Sequence, residues 1–321
     1  MTGSAGFIGS HLAERLIQEG AEVTALTRYN SSNSAGFLDQ FEDSVRDQIK
    51  VVAGDVTDCQ LVTDLVSTAD VVFHLAALIS VPYSYEVPRM FYEVNTGGTL
   101  NVLEAAREAD NVRVIHTSSS EVYGTPEVVP ITESHPLRAQ SPYAASKIAA
   151  DKFVESFFHS FGSRVTTVRP FNTYGPRQST RAIIPTVLSQ AIGGGGTIRV
   201  GSLWPRRDMT YVSDTVDGFV KAAQRDESIG ETIQLGTGDD VSIAEIIEEA
   251  CAALGVGPEI VSESQRQRPE ASEVVRLISD NSRAKEVLGW TPQVDLKTGL
   301  LQTSDWIRSR IDDIQVGEYV V

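Results

Sequence analysis

Cysteine is almost missing from this chain: two stand among 321 residues, Cys59 and Cys251. Two such distant thiols exclude a disulfide framework and cannot build a metal cluster by themselves. Lysine is scarce as well, with 6 Lys beside 21 Arg and 43 Asp and Glu, and the formal net charge is -16 at pH 7. A chain this acidic repels nucleic acid rather than gathering it. The balance suits a protein kept soluble in high salt, and equally an acidic cytosolic enzyme. No run approaches the ~18 apolar residues that a membrane span needs, and residues 1–20 lack the basic-then-apolar order of a signal peptide. No two of the five histidines (His11, His74, His116, His135 and His159) have metal-ligand spacing with a third ligand nearby, so no metal site is expected. What is left is a soluble, cytoplasmic α/β protein with neither nucleic acid nor membrane as a partner.

What is present is ordinary globular material: 41% hydrophobic and 22% charged residues, enough apolar content to build a core. A length of 321 residues fits two domains or one large α/β unit at about 150 residues per domain. Gly3, Gly6 and Gly9 form a triplet at three-residue spacing that runs into a helical stripe of Ile8, Leu12 and Leu16, with Gly20 as a stop. Short apolar strands then recur at Glu22–Leu26, Ile49–Ala53, Val71–Leu75, Val112–Thr117 and Val165–Arg169. Helical stretches separate them at Asp55–Ser67, Pro88–Ala109 and Pro142–Phe161. Strands alternating with helices predict a doubly wound parallel sheet of the Rossmann kind. After Arg169 the rhythm breaks at Pro170, Pro176, Pro185, a four-glycine run at 193–196 and Pro205. That run reads as a flexible connection rather than a phosphate loop. Helices are expected again at Ile243–Leu254 and Ser282–Leu288. Residues 1–170 therefore read as a dinucleotide-binding domain, with a returning segment near 208–238, and 171–321 mostly as a smaller α+β substrate domain. One strand is apparently missing. A glycine loop should follow a strand of about 5–6 residues, but only Met1 and Thr2 precede Gly3.

The triplet has a physical use. Its glycines let the backbone turn tightly and approach a pyrophosphate, and the helix that follows offers free N–H donors and its positive dipole end. Asp55, after the strand Ile49–Ala53, can accept from an adenine amino group or cap the next helix. At the end of Glu22–Leu26, where an acid would hold an NAD ribose, stand Thr27 and Arg28. An arginine there can take a 2′-phosphate, which tilts the choice between NAD and NADP toward NADP, unless Arg28 is a solvated surface residue.

Tyr143 and Lys147 lie four apart, on one face of a predicted helix. A phenol of pKa ~10 must fall by about 3 units to act as a base near neutrality, worth about 4 kcal/mol. A neighbouring ammonium and a cofactor cation could supply that shift. The strand Val112–Thr117 ends in Ser118-Ser119-Ser120-Glu121, at the edge where parallel sheets build their sites. A hydroxyl there can hold a substrate oxygen beside the tyrosine, and Glu121 can serve as a second acid or base.

Glycine loop, Ser-Ser-Ser-Glu and Tyr-x-x-x-Lys occur in order with His74-Leu75-Ala76-Ala77, Asn95-Thr96-Gly97-Gly98-Thr99, Arg169-Pro170-Phe171-Asn172-Thr173-Tyr174-Gly175-Pro176 and Arg207-Asp208-Met209-Thr210-Tyr211-Val212. With these the chain resembles, from Thr2 to about Trp306, the extended short-chain dehydrogenase/reductases that act on nucleotide sugars (the NAD-dependent epimerase/dehydratase family). The resemblance implies a tightly bound, recycled NAD or NADP held by Gly3, Gly6, Phe7, Ile8, Gly9, Arg28, Asp55, Val56, Leu75, Ala76, Ala77, Tyr143 and Lys147. It gives Ser119 the hydroxyl role, Tyr143 the base and Lys147 its partner. It places Asn172, Arg207 and Arg268 on the sugar nucleotide's diphosphate. A Glu after the hydroxyl pair looks like the dehydratase and decarboxylase branches; simple 4-epimerases usually lack it. Ser120 before Glu121, the stretch Tyr29–Ser34 and the run Ser141–Gly175 look closest to the GDP-N-acetylglucosamine 4,6-dehydratases of the legionaminic acid pathway. The expected activity is therefore a nucleotide-sugar 4,6-dehydratase using Ser119, Ser120, Glu121, Tyr143 and Lys147. A UDP-glucuronate decarboxylase, a 4-epimerase and a non-catalytic nucleotide-sensing module are the alternatives. Apolar residues beyond one stripe on the helices around Leu100–Ala109 and Phe153–Phe161 imply, by the same resemblance, a homodimer through a four-helix bundle, or else a monomer core face.

Overall fold

The structure is a computed structural model that describes residues 1–109, 112–194, 196–266, 273–314 and 316–317. Its central element is a parallel sheet. Strands β1 (Val23–Arg28) and β2 (Ile49–Gly54) pair in parallel. Strands β3 (Val71–His74), β4 (Arg113–Thr117), β5 (Val165–Pro170) and β6 (Thr232–Leu235) form a parallel run in that order. The two halves meet at Thr2, which bridges Leu26 of β1 and His74 of β3. Met1 O accepts from Leu26 N at 2.9 Å, and Thr2 N donates to Phe73 O at 3.0 Å. The place of the strand that seemed missing is thus held over two residues that bond to both neighbours. The order 2-1-Thr2-3-4-5-6 reverses direction at Thr2, and the glycine loop begins there. Ligands bind at such a switch point, outside the carboxyl ends of the strands.

The sheet is apolar on both faces, as a parallel sheet covered by helices must be. Side chains alternate along each strand: Val72, Val114 and Val165 join a core with helices α2 (Cys59–Val66), α3 (Gly98–Glu108) and α4 (Pro142–Phe161). Phe73, Ile115 and Val168 face a second core with Leu12 of α1 (Phe7–Gln18) and Phe219 of the helix Val212–Gln224. After that helix the chain re-enters the sheet as β6. The rest of the C-terminal half is short elements: Asn172–Tyr174 beside Met209–Tyr211, Thr197–Val200 beside Glu259–Ser262, and three two-residue strands around Arg206–Arg207. The helices expected at Ile243–Leu254 and Ser282–Leu288 are present.

Two local features bear on the site. Helix α4 starts at Pro142 behind Ser141, whose Oγ accepts from Ala144 N at 3.1 Å, and stops at Gly162 in the left-handed region (φ 68°). The cap and the proline set where Tyr143 begins its turn. The helix expected over Pro88–Ala109 is not continuous: a wide π-helical turn occupies Tyr92–Gly97. Its cause is side-chain bonding. Asn95 Oδ1 accepts from Leu78 N at 2.8 Å, while its Nδ2 donates to Leu78 O at 3.0 Å and to Ser146 Oγ at 2.9 Å. These bonds pull the turn toward α4, and such bulges recur at functional sites.

Candidate active site

A cavity of about 1550 Å³ opens along the carboxyl ends of the strands. At one end lies the glycine loop. Gly3 has φ +71°, and a Cβ there would meet Ala76 N at 2.6 Å; a Cβ on Gly9 would lie 2.1 Å from Gly3 O. No other residue closes this turn. Gly6 caps α1 without a side-chain acceptor, and no acid stands in the first turn, so the first N–H groups and the dipole are left for an anion. The loop thus fits a dinucleotide's pyrophosphate. Gly9→Ala should weaken dinucleotide binding by at least about 1.4 kcal/mol, or tenfold, in a calorimetric titration, because the new methyl drives the Gly3 carbonyl out of place. Unchanged affinity would contradict this account of the loop.

Phe7, Ile8, Arg28, Asp55, Val56, Leu75, Ala76 and Ala77 all line the same cavity. Asp55 Oδ1 accepts from Thr57 N at 3.0 Å and Thr57 Oγ1 at 2.8 Å. The cap of α2 is Asp58, which accepts from Leu61 N at 3.1 Å, so Asp55 is not spent on that role. Arg28 is exposed at the end of β1.

Deeper in the cavity stand Ser119, Ser120, Glu121, Tyr143 and Lys147. Ser119 follows β4 and accepts from Glu121 N at 3.2 Å, which starts the tight turn Ser120–Tyr123 and fixes Glu121 beside it. Burial pushes the Tyr143 phenol up to about 12, against a hydrogen bond with Ser119 that lowers it, and the Glu121 and Asp151 carboxylates raise it further. Burial also pulls Lys147 down to about 8, with Asp151 opposing. The Lys147 ammonium donates to Thr117 O at 2.5 Å. By itself, then, the protein holds the phenol on the wrong side of neutrality. The shift expected from the sequence needs positive charge in the cavity beyond Lys147.

The expected diphosphate anchors divide. Asn172 lines the cavity, its Nδ2 donating to Asp208 O at 3.4 Å. Arg207 is buried elsewhere: its guanidinium donates to Val274 O at 2.8 Å and to Glu273 Oε1 at 3.0 Å. Arg268 lies outside the described residues. The cavity wall instead carries Arg177, Arg181 and Arg266, which sequence reasoning missed. Arg177 has a left-handed backbone (φ 67°) and pairs with Glu14 of α1 at 2.8 Å. The available signal was its place directly after Gly175-Pro176, where the chain leaves Asn172.

A Rossmann sheet, a glycine cradle and a Ser–Tyr–Lys cluster in one cavity define an NAD-dependent extended short-chain dehydrogenase/reductase. A family model described as GDP-mannose 4,6 dehydratase matches residues 1–303, and the chain belongs to that family, among enzymes that are nucleotide-sugar dehydratases or epimerases. It is 37% identical over 97% of its length to a UDP-glucose 4-epimerase of Mycolicibacterium smegmatis, of which 98% is covered. A dTDP-glucose 4,6-dehydratase of the same organism is 32% identical, covering 96% of this chain and 92% of that one. The solved dTDP-glucose 4,6-dehydratase of Streptomyces venezuelae with NAD bound superposes with a TM-score of 0.82 at 28% identity, covering 98% of both chains.

Proposed function

We propose that this chain is a 4,6-dehydratase that converts a nucleotide-diphosphate hexose, GDP-N-acetylglucosamine or a related GDP- or UDP-hexose, to a 4-keto-6-deoxy sugar. The observation that carries this reading is the position of Glu121. It stands two residues after Ser119 in the wall shared with Tyr143 and Lys147, near enough for its charge to bear on the phenol. Oxidation at carbon 4 needs one base; dehydration needs a second.

The chemistry that a nicotinamide supplies when bound is reversible hydride transfer. In this reading Ser119 holds the sugar's 4-oxygen while Tyr143 takes the 4-hydroxyl proton and Lys147 stabilises the phenolate. With carbon 4 a ketone, the carbon 5 proton is acidic, and Glu121 takes it. The 6-hydroxyl leaves as water on a proton from Glu121 or Ser120, and the double bond left between carbons 5 and 6 would then take back the hydride removed from carbon 4 at carbon 6 and a proton at carbon 5. Gly3, Gly6, Phe7, Ile8 and Gly9 would hold the pyrophosphate, Asp55 and Val56 the adenine, and Leu75, Ala76 and Ala77 the adjoining dinucleotide. Arg28 at the rim favours NADP through a 2′-phosphate. Asn172 and Arg268 are the proposed partners of the sugar's diphosphate, with Arg177 and Arg181 adding guanidinium charge; Arg207 would join them only if its pair with Glu273 opened. The division near residue 170 and a homodimer belong to the same proposal. Phe153 and Phe161 of α4, 37% and 53% exposed, support the dimer as apolar residues left on an outer helix face.

A 4-epimerase is the second reading, favoured by the 37% identity to the Mycolicibacterium enzyme. A panel of GDP-, UDP- and dTDP-hexoses read by mass spectrometry separates the two. Loss of water from one of them supports the dehydratase, and an isomer of unchanged mass supports the epimerase.

A further inference from the structure

Helix α4 carries a third polar residue on the stripe of Tyr143 and Lys147: Asp151, one more turn along and buried to 5% exposure. Its Oδ2 accepts from Ser118 Oγ at 2.7 Å and from Arg169 Nη2 at 2.8 Å and Nε at 3.2 Å. Its Oδ1 lies 3.2 Å from His116 Nε2. An ionised carboxylate only accepts, so His116 carries its proton on Nε2. That leaves Nδ1 as an unprotonated acceptor, buried and without a partner among the described residues. Burial pushes the Asp151 carboxyl up, but the bonds with His116 and Ser118 and the charge of Arg169 hold it well below the usual carboxylate range.

The register of these contacts matters more than their number. Lys147 donates to Thr117 O, and Asp151 takes His116 and Ser118 on either side. Two successive turns of α4 therefore grip three consecutive residues of the β4 end, and the next residue is Ser119. Arg169 ties the same carboxylate to β5 and reaches on to Tyr123 Oη at 2.9 Å. Among the described residues, Asp151 is the carboxylate that bears on Lys147.

We propose that Asp151 is a positioning residue of the active site, docking α4 on the end of β4 in the register that sets Ser119 against Tyr143 and supplying the counter-charge that keeps the Lys147 ammonium protonated. The inference rests on the dehydratase reading for its kinetic consequence, though not for its electrostatic one. The titratable and charged groups facing the pair are His116 of β4, Arg169 of β5, His74 of β3, Tyr123 and Glu121 of the turn after β4, and Tyr143 of α4. Asp151→Asn removes the negative charge that favours the lysine's charged form. The lysine then gives up its proton at lower pH, and the phenol, freed from a repelling carboxylate, does so too.

With only six lysines in the chain, ¹³C-lysine NMR can follow Lys147 directly, its signal being the one lost in Lys147→Arg. In Asp151→Asn its titration midpoint should fall by about one pH unit from the parent's value, the low end of what one adjacent opposite charge does. A lone buried Arg169 could unfold that variant, so the pair is also removed as a unit in Asp151→Leu/Arg169→Met, which leaves no unpaired guanidinium. The double variant should melt near the parent and still show the lowered Lys147 midpoint. Its kcat should fall more than tenfold with KM little changed, and both limbs of its pH–rate profile should move to lower pH. A Lys147 midpoint at the parent's value, or parental kcat and pH profile in the double variant, would overturn the proposal. A parent that converts no nucleotide sugar would instead sink the dehydratase reading, while the NMR midpoint still decides the role of Asp151.

Discussion

Glu121→Gln should halt the reaction after its first step, leaving an enzyme-bound 4-keto sugar that still carries its 6-hydroxyl. Everything that oxidation at carbon 4 requires is untouched: Ser119, Tyr143 and Lys147 keep their places, and the Ser119 contact uses the backbone N–H of residue 121 rather than its side chain. The loss of charge even helps, because the Glu121 carboxylate raises the phenol's pKa and its removal moves Tyr143 toward neutrality. Abstraction at carbon 5 does need a base, and an amide is none. General base help is typically worth 10²–10⁴-fold, so water loss should slow by about that factor. Mass spectrometry of the acid-quenched enzyme would show the oxidised sugar at intact 6-hydroxyl. Dehydration at the parental rate would remove Glu121 from the mechanism.

Tyr143→Phe should lose about 10²–10⁴-fold in kcat while folding and binding dinucleotide as the parent does. The ring is buried and meets Phe91 edge-on at 6.3 Å, and a phenylalanine keeps that packing. Only the hydroxyl goes. Its partner Ser119 retains the bond from Glu121 N, so the cost to stability is about one hydrogen bond, ~1 kcal/mol. Steady-state kinetics with a melting curve on the same sample check both halves. Near-parental turnover would show that another group takes the 4-hydroxyl proton.

What the sequence made legible was local. Short apolar runs marked β1 to β5; β1, β3, β4 and β5 are buried along most of their length, whereas in β2 only Ile49 is fully buried. The helix expected at Pro142–Phe161 is α4, and the structure ends it with the Ser141 cap and the left-handed Gly162. The glycine triplet was legible because no other residue fits the turn. The rest depends on partners far apart in the chain. Asp151 is one more polar residue on a long helix until β4 and β5 bring His116, Ser118 and Arg169 around it. The π-helical turn at Tyr92–Gly97 is invisible to periodicity because its cause, the bonds from Asn95 to Leu78 and Ser146, lies in other elements. Arg207 was expected as an anion anchor by resemblance, but the structure gives its guanidinium to Glu273, and Arg177, Arg181 and Arg266 stand on the cavity wall instead. The downward phenol shift was expected from the Lys147 ammonium together with a cofactor cation; the protein's own groups, burial first, push Tyr143 up instead.

The central claim is that one cavity oxidises carbon 4, removes water across carbons 5 and 6, and reduces carbon 6. The most direct measurement supplies the sugar nucleotide that turns over in the panel with deuterium at carbon 4, then locates the label in the product by NMR. A dehydratase with Glu121 as its second base should deliver the deuterium to carbon 6 of a 4-keto-6-deoxy sugar. Deuterium retained at carbon 4 of an inverted sugar, or carbon dioxide released from a glucuronate, would contradict it.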